Sequence, residues 1–371
     1  MIDDDVVALR SGATSIRGSF TSHAALERIL RAVATLITRN NKGSEGSVHA
    51  LVGMTRSGKS HLLRAFLDEH EKEPIKITDA NGDFAFQRPV VYLKFVGNTT
   101  KGLTEALYEA ITGNQSEAVL GRSAKQSHIL NEIIRYRKEC GVRLLILDEA
   151  HQSILNKSDH AAKEVAKLVK DLSNSYFCVL LVGTEELVRL IDADPELQAR
   201  VTKVHRIHPF TRTEADLHIW KKILDGMDGV LTEKVFGKPS LLSEPHLAEA
   251  LMTASGGTVG HMATLVENAA LEAIDQWDEL RKQEPEGADH GPQVINWDHF
   301  QIAFDDWAPG RMLKINPFHP HARPPVEANP GAGDGTGPTT PGPEGNPPGP
   351  AKSSNVRGRT ARGAKANRFK T

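Results

Sequence analysis

The segment Gly53-Met54-Thr55-Arg56-Ser57-Gly58-Lys59-Ser60 has the residue types and spacing to hold a chain of phosphates. Gly53 and Gly58 let the backbone close around the anion. Successive N–H groups and a helix N-terminus then face its charge. In the pattern G-x-x-x-x-G-K-S the lysine, Lys59, reaches the β- and γ-phosphates, and Ser60 holds Mg²⁺. Thr55, Arg56, Ser57 and His61 belong to the same cradle by position. A second constellation is Leu144-Leu145-Ile146-Leu147-Asp148-Glu149. Four apolar residues make a buried strand, and two acids emerge at its C-terminal end, where ligands of α/β folds sit. Asp148 would bind Mg²⁺, directly or through water, and Glu149 would orient and polarise an attacking water. Thr184 closes the apolar run that starts at Phe177 and fits two roles. Its hydroxyl reaches a γ-phosphate or the attacking water, or it caps a helix beginning at Glu185. The chemistry implied is Mg²⁺-assisted phosphoryl transfer from ATP.

These groups converge only if strands and helices alternate around them. Val48 to Val52 is apolar and runs straight into the glycine-rich loop, and His61 to Glu69 has helical spacing behind it. Further strands are expected at Val90 to Phe95, Val142 to Leu147 and Phe177 to Val182. Helices are expected at His23 to Thr38, Lys101 to Ile111, Lys125 to Lys138, Asp159 to Leu172 and Glu185 to Ile191. The alternation reads as α/β, a parallel sheet flanked by helices. From Ser243 the pattern is purely helical, over Glu244 to Thr253, Val259 to Trp277 and Trp297 to Trp307. The expected organisation is an N-terminal arm (1–20), an α/β core (21–225), a small helical lid (226–310) and a tail (311–371).

Charge separates the tail from the rest. The 371-residue chain has a net charge of −2. Eleven of its twenty prolines lie between Pro317 and Pro350, with seven glycines and no apolar period, which reads as a disordered linker. Beyond it, Lys352 to Thr371 carries seven basic residues and no acidic one, leaving −9 on the rest. This basic tip fits a docking tail for DNA or a partner, or a solvated tail with no partner. The two cysteines, Cys140 and Cys178, form no CxxC pair, so a disulfide scaffold and a cysteine zinc module are excluded. The longest apolar run, Phe177 to Val182, is far short of a membrane span. A cytoplasmic location is therefore expected. His151 fits a supporting place behind Glu149 or a surface place. His205 and His208 flank Ile207 near an expected strand and have no metal-ligand spacing, and Trp220, Trp277 and Trp297 sit on apolar faces.

The chain resembles the AAA+ ATPases of the TniB/TnsC group, target-site regulators of DNA transposition, over roughly Phe20 to Trp307. Beyond the two motifs, the likeness rests on Arg88-Pro89-Val90-Val91-Tyr92 followed by Lys101-Gly102-Leu103. It also rests on Cys140-Gly141-Val142, Leu147-Asp148-Glu149-Ala150, Val182-Gly183-Thr184 with Leu187, and Gly256-Gly257 with Val259-Gly260. The resemblance implies a P-loop NTPase of AAA+ type that binds ATP and Mg²⁺ and forms a homo-oligomeric ring or helical filament on duplex DNA. Such an assembly links a target-selector protein to a transposase. A neighbouring subunit then supplies an arginine to the ATP, and Arg200 matches that position, although Val201 follows it where relatives often have an aromatic. Where AAA+ proteins usually place a lid arginine, this chain has Gly260-His261. Histidine is mostly neutral at pH 7, so slow hydrolysis, or a switch role for ATP, is expected. The DNA contacts implied are backbone ones, at Thr100 and Lys101 and, in a second cluster, at Arg122, Ser123 and Lys125. Such contacts are sequence-tolerant and salt-sensitive. The competing expectation is a signalling or defence ATPase that assembles on proteins without DNA, with the same motifs around Lys59 and Asp148. A secretion-associated assembly ATPase would more often carry a membrane segment.

Overall fold

In the computed structural model, residues 4–18, 22–40, 46–70, 75–78, 84–95, 99–153, 159–283, 291–307, 313 and 315–319 are described. The basic tip and all but the first residues of the expected linker lie outside them.

Five strands form one parallel sheet: β1 (Val48–Gly53), β4 (Val90–Lys94), β5 (Leu144–Asp148), β6 (Cys178–Gly183) and β7 (Val201–Ile207). Their order is β4-β5-β6-β1-β7. The central strands are apolar along their whole length, yet they retain a period of two. Leu145, Leu147, Val179 and Leu181 enter one core, with Leu107, Ile133 and Val169. Leu144, Ile146, Leu180 and Val182 enter the other, with Val33, Leu62 and Phe66. Both faces are covered, so neither can be polar. Helices α4 (Thr100–Thr112), α6 (Gln126–Glu139), α7 (Asp159–Asn174), α8 (Glu186–Asp192) and α9 (Pro195–Arg200) belong to the first side. The second side holds α2 (Ala24–Asn40) and α3 (Lys59–Glu69). A short α5 (Ser116–Leu120) joins α4 to α6.

A third core is all-helical. It joins α10 (Glu214–Leu231), α11 (Pro245–Ser255), α12 (Val259–Gln283) and α13 (Trp297–Asp306) to α1 (Asp4–Thr14). Trp220 is fully buried there and donates its indole N–H to the Ala248 carbonyl at 3.0 Å. Helix α10 was not expected: Gly226 and Gly229 fall inside it and weaken its helical signature. It forms because Thr213 caps its first turn, accepting from the Asp216 N–H, and because Trp220, Leu224 and Leu231 are buried. The antiparallel pair β2 (Ile75–Thr78) and β3 (Phe84–Gln87) was also unforeseen. Four-residue strands give too little periodicity to read.

The linker reading needs one correction. It begins at Pro317, but Phe318 is fully buried, its ring stacked on Phe300 with centroids 5.1 Å apart. An aromatic with a core to enter is not free linker, and proline content alone did not reveal it. Phe318→Ala is expected to cost about 3–5 kcal/mol, read as a lower midpoint of thermal unfolding. An unchanged midpoint would remove Phe318 from the core.

Candidate functional site

The phosphate loop is the connection from β1 to α3. Gly58 has φ +96° and Arg56 has φ +63°, so the loop turns through the left-handed region twice. A Cβ on Gly53 would stand 2.7 Å from Ser57 Oγ and 3.0 Å from the Ile207 carbonyl, which is why this corner has none. Lys59 is 7% exposed and donates from Nζ to the Gly53 carbonyl at 2.7 Å and the Met54 carbonyl at 2.8 Å. Burial pulls its pKa below the ordinary lysine value, and the charges of Glu149 and Asp148 oppose that shift. The ammonium and the two acids therefore share one electrostatic site.

Asp148 ends β5 almost completely buried. Its Oδ1 accepts the Glu149 N–H at 2.8 Å, and its Oδ2 accepts the Tyr92 hydroxyl at 2.9 Å. Tyr92 was not foreseen as a site residue. It lies on the neighbouring strand, two residues from the end of β4, and β4–β5 register brings it there. Burial first, then the bond to Asp148, pushes its pKa far above the ordinary phenol range, so it stays a donor. The Glu149 backbone sits at φ +56°, a turn that brings the acid off the strand axis. His151, 7% exposed, has Nε2 3.5 Å from Glu149 Oε2. Its Nδ1 accepts the Thr184 N–H at 3.4 Å. Thr184 does not cap α8. The N-cap position is Glu185, with no side-chain cap bond.

The phosphate loop and Glu149 face a cavity of about 640 Å³, which Asp148, Tyr92, His151 and Thr184 do not line. Residues Thr55 to His61 and Glu149 line it from the sheet side. Its apolar wall is made by residues from three separate parts of the chain, including Ile16, Leu26, Ile29, Ile207, Phe210 and Ile223. No local motif marks them, since they meet only through tertiary packing. Two residues that line the cavity each carry a buried polar atom, Ser57 Oγ and His23 Nδ1, with no hydrogen-bond partner among the described residues. Buried polar atoms are nearly always satisfied, so a polar ligand fits here. The donor set fits a nucleoside triphosphate: backbone N–H groups and Lys59 for phosphates, Ser60 and Asp148 for Mg²⁺, an apolar wall for a base.

The lid is fastened to the loop through Arg56. Its carbonyl accepts the Gly260 N–H at 2.9 Å, and its guanidinium donates to Thr264 Oγ1 at 2.7 Å. A Cβ on Gly260 would stand 2.6 Å from that carbonyl. His261 is turned away. It does not line the cavity, and its ring meets Trp307 edge-on with centroids 5.2 Å apart. Burial, then the charge of Arg56, holds its pKa below the ordinary histidine value. His61 bonds through Nε2 to the Arg17 carbonyl, which ties α3 to the N-terminal segment.

Other expected residues lie apart from this cavity. Arg200 ends α9, half-buried, and does not line it. Arg206 does line it, with Nε 3.5 Å from Glu185 Oε1. Thr100 is buried and donates its hydroxyl to Glu164 Oε2 at 3.3 Å, so it is not presented to a DNA backbone. Lys101 is half-exposed in the first turn of α4, 3.4 Å from Glu105 Oε1. Ser123 and Lys125 are exposed just before α6, and Arg122 lies 3.5 Å from Glu117 Oε2. Among the described residues, no group of acids, cysteines and histidines forms a metal site by itself, and no helix is long and apolar enough to cross a membrane.

Comparison with known proteins places this geometry. A family model described as bacterial TniB protein matches residues 14–209. No curated protein sequence matches the chain. Among solved structures, Cdc6p from Pyrobaculum aerophilum is similar, at 14% identity and a TM-score of 0.51, covering 82% of this chain and 71% of that one. The Aeropyrum pernix ORC1 protein in complex with DNA has 14% identity and a TM-score of 0.48, covering 80% and 69%. The ADP form of the Aeropyrum pernix ORC2 protein has 14% identity and a TM-score of 0.48, covering 75% and 67%. The first likeness identifies the fold as the P-loop AAA+ fold.

Proposed function

The chain belongs to the TniB family, and from that premise we propose that it is an ATP-dependent AAA+ regulator of DNA transposition. It oligomerises on duplex DNA and links target-site selection to recruitment of a transposase. The observation that carries the reading is the convergence of Lys59, Asp148 and Glu149 beside a complete phosphate loop in a chain of this family. Lys59 and the loop N–H groups bind the β- and γ-phosphates. Ser60 and Asp148 would hold Mg²⁺, which would neutralise charge on those phosphates when bound. Glu149 orients the attacking water. Thr184 meets the γ-phosphate, and Arg200 serves the site of a neighbouring subunit, where a further cation stabilises developing charge. His261 supplies no such charge to its own cavity, so hydrolysis is slow and is stimulated by DNA or partners.

The tail proposal is a basic docking segment, and the lid takes in the whole of α10 from Glu214 rather than starting at 226, since Trp220, Ile223 and Leu224 lie in the helical core with α1. The DNA-facing residues are Lys101, Ser123 and Lys125. Their binding depends on phosphate contacts and weakens with salt. Electron microscopy of the full chain with duplex DNA and a slowly hydrolysed ATP analogue tests the reading. ATP-dependent rings or filaments on DNA are expected, and their absence would sink it in favour of a protein-only assembly. Lys101→Glu is expected to abolish most duplex binding while ATP affinity stays within about twofold, since each phosphate contact contributes through counterion release. Unchanged DNA binding would remove Lys101 from the interface.

A further inference from the structure

We propose that His151 is a positioning residue that ties the Glu149 carboxylate to the end of β6 at Thr184. The proposal rests on the ATPase reading of this site. It starts from hydrogen-bond polarity. A backbone N–H can only donate, so the Thr184 N–H at 3.4 Å makes His151 Nδ1 an acceptor. A neutral imidazole has one acceptor and one donor nitrogen. The proton therefore sits on Nε2, the atom 3.5 Å from Glu149 Oε2. The ring is a rigid bar with its acceptor end on β6 and its donor end on the carboxylate.

Three further observations support a built arrangement. The ring is buried although it follows β5 by only three residues, in a short 3-10 turn over Ala150–Ser153. Gly183 leaves room for it: a Cβ there would stand 3.0 Å from Nδ1 and 3.3 Å from the histidine Cβ. Burial lowers the His151 pKa, with Glu149 opposing and Lys59 reinforcing, which favours the neutral ring. Glu149 itself has few restraints: its side chain is 27% exposed, and Gln152 Nε2 lies at 3.5 Å. Without His151 the carboxylate would sample more rotamers, and fewer of them would face an attacking water.

The bar also has a direction. Thr184 opens the path from β6 into α8, and α8 packs against α9, which ends at Arg200. A displacement at Thr184 would therefore be felt at Glu149 through one ring.

The test compares steady-state ATP hydrolysis and nucleotide affinity for the wild-type full chain, His151→Ala, His151→Gln and Gly183→Ala. A fluorescent ADP analogue with Mg²⁺ is the affinity probe. His151→Ala is expected to lower kcat about tenfold to a hundredfold, with KM and analogue affinity within about threefold. His151→Gln keeps a donor and an acceptor and is expected to recover most of kcat. Gly183→Ala pushes on Nδ1 and is expected to lower kcat in the wild type but add little to His151→Ala, because the two act through one contact. Equal kcat in wild type and His151→Ala would overturn the proposal. So would His151→Gln no better than alanine, or a parallel loss of analogue affinity. If His151→Ala does not fold, Gly183→Ala decides, and unchanged kcat there overturns it. A wild-type chain that binds the analogue but hydrolyses no ATP, with DNA or without, would instead overturn the ATPase reading.

Discussion

Lys59→Ala is expected to abolish detectable hydrolysis and to weaken ATP binding about a hundredfold. The ammonium makes charge-assisted bonds to phosphate oxygens, and such bonds contribute about 1.5–3 kcal/mol each. A hundredfold loss corresponds to about 2.7 kcal/mol, so one to two lost bonds account for it. The substitution has a second effect inside the protein. Lys59 Nζ already bonds the Gly53 and Met54 carbonyls, at 2.7 and 2.8 Å. Removing it frees both and loosens the corner that Gly53 and Ser57 share. Two measurements separate the effects. Without nucleotide, the thermal midpoint reports the loop alone. With Mg²⁺-ATP at a hundred times the dissociation constant, the wild type gains about 2.7 kcal/mol of stability, and Lys59→Ala gains almost none at the same concentration. An equal shift for both would mean that Lys59 does not hold the phosphates.

The phosphate loop and the Asp148-Glu149 end of β5 were legible in the sequence because their chemistry is local. Each needs a few residues at fixed spacing beside a strand, and the strand is visible as an apolar run. Four strands of the sheet followed from the same runs, while β7 showed only as a strand near Ile207, without bounds. That strand carries Thr202, Lys203, His205 and Arg206 at the sheet edge, where one side is solvated and polarity hides it. The cavity wall was not legible. Ile16 and Phe210 approach the loop only when α1 and α10 pack with the lid, and no spacing rule connects them. Tyr92 belongs to the Arg88–Tyr92 segment that carries the family resemblance, but its role on Asp148 depends on strand register. His261 illustrates the opposite case. Its position in the lid was read from a pattern, whereas its ring is drawn to Trp307, and Arg56 makes the contact between loop and lid.

Glu149→Gln separates binding from hydrolysis at this site. The amide keeps the length and shape of the acid, so it preserves the φ +56° turn and the bond from its N–H to Asp148 Oδ1. Asp148, Tyr92 and Lys59 keep their partners. What is lost is the carboxylate that polarises water, a contribution of about 10²- to 10⁴-fold in rate. The expected result is kcat lower by about a thousandfold, with ATP affinity within about threefold of wild type. Removing a negative charge beside Lys59 takes away one of the two charges that hold its pKa up, and it also removes repulsion of the phosphates; the two effects oppose each other, which keeps the affinity within that range. In the proposed assembly this variant would hold ATP on DNA without a slowly hydrolysed analogue. Filaments that persist with ordinary ATP in Glu149→Gln, and decay in the wild type, would connect turnover to disassembly. Hydrolysis at the wild-type rate would remove Glu149 from the reaction and leave the buried Asp148 as the only acid of the pair engaged at the site.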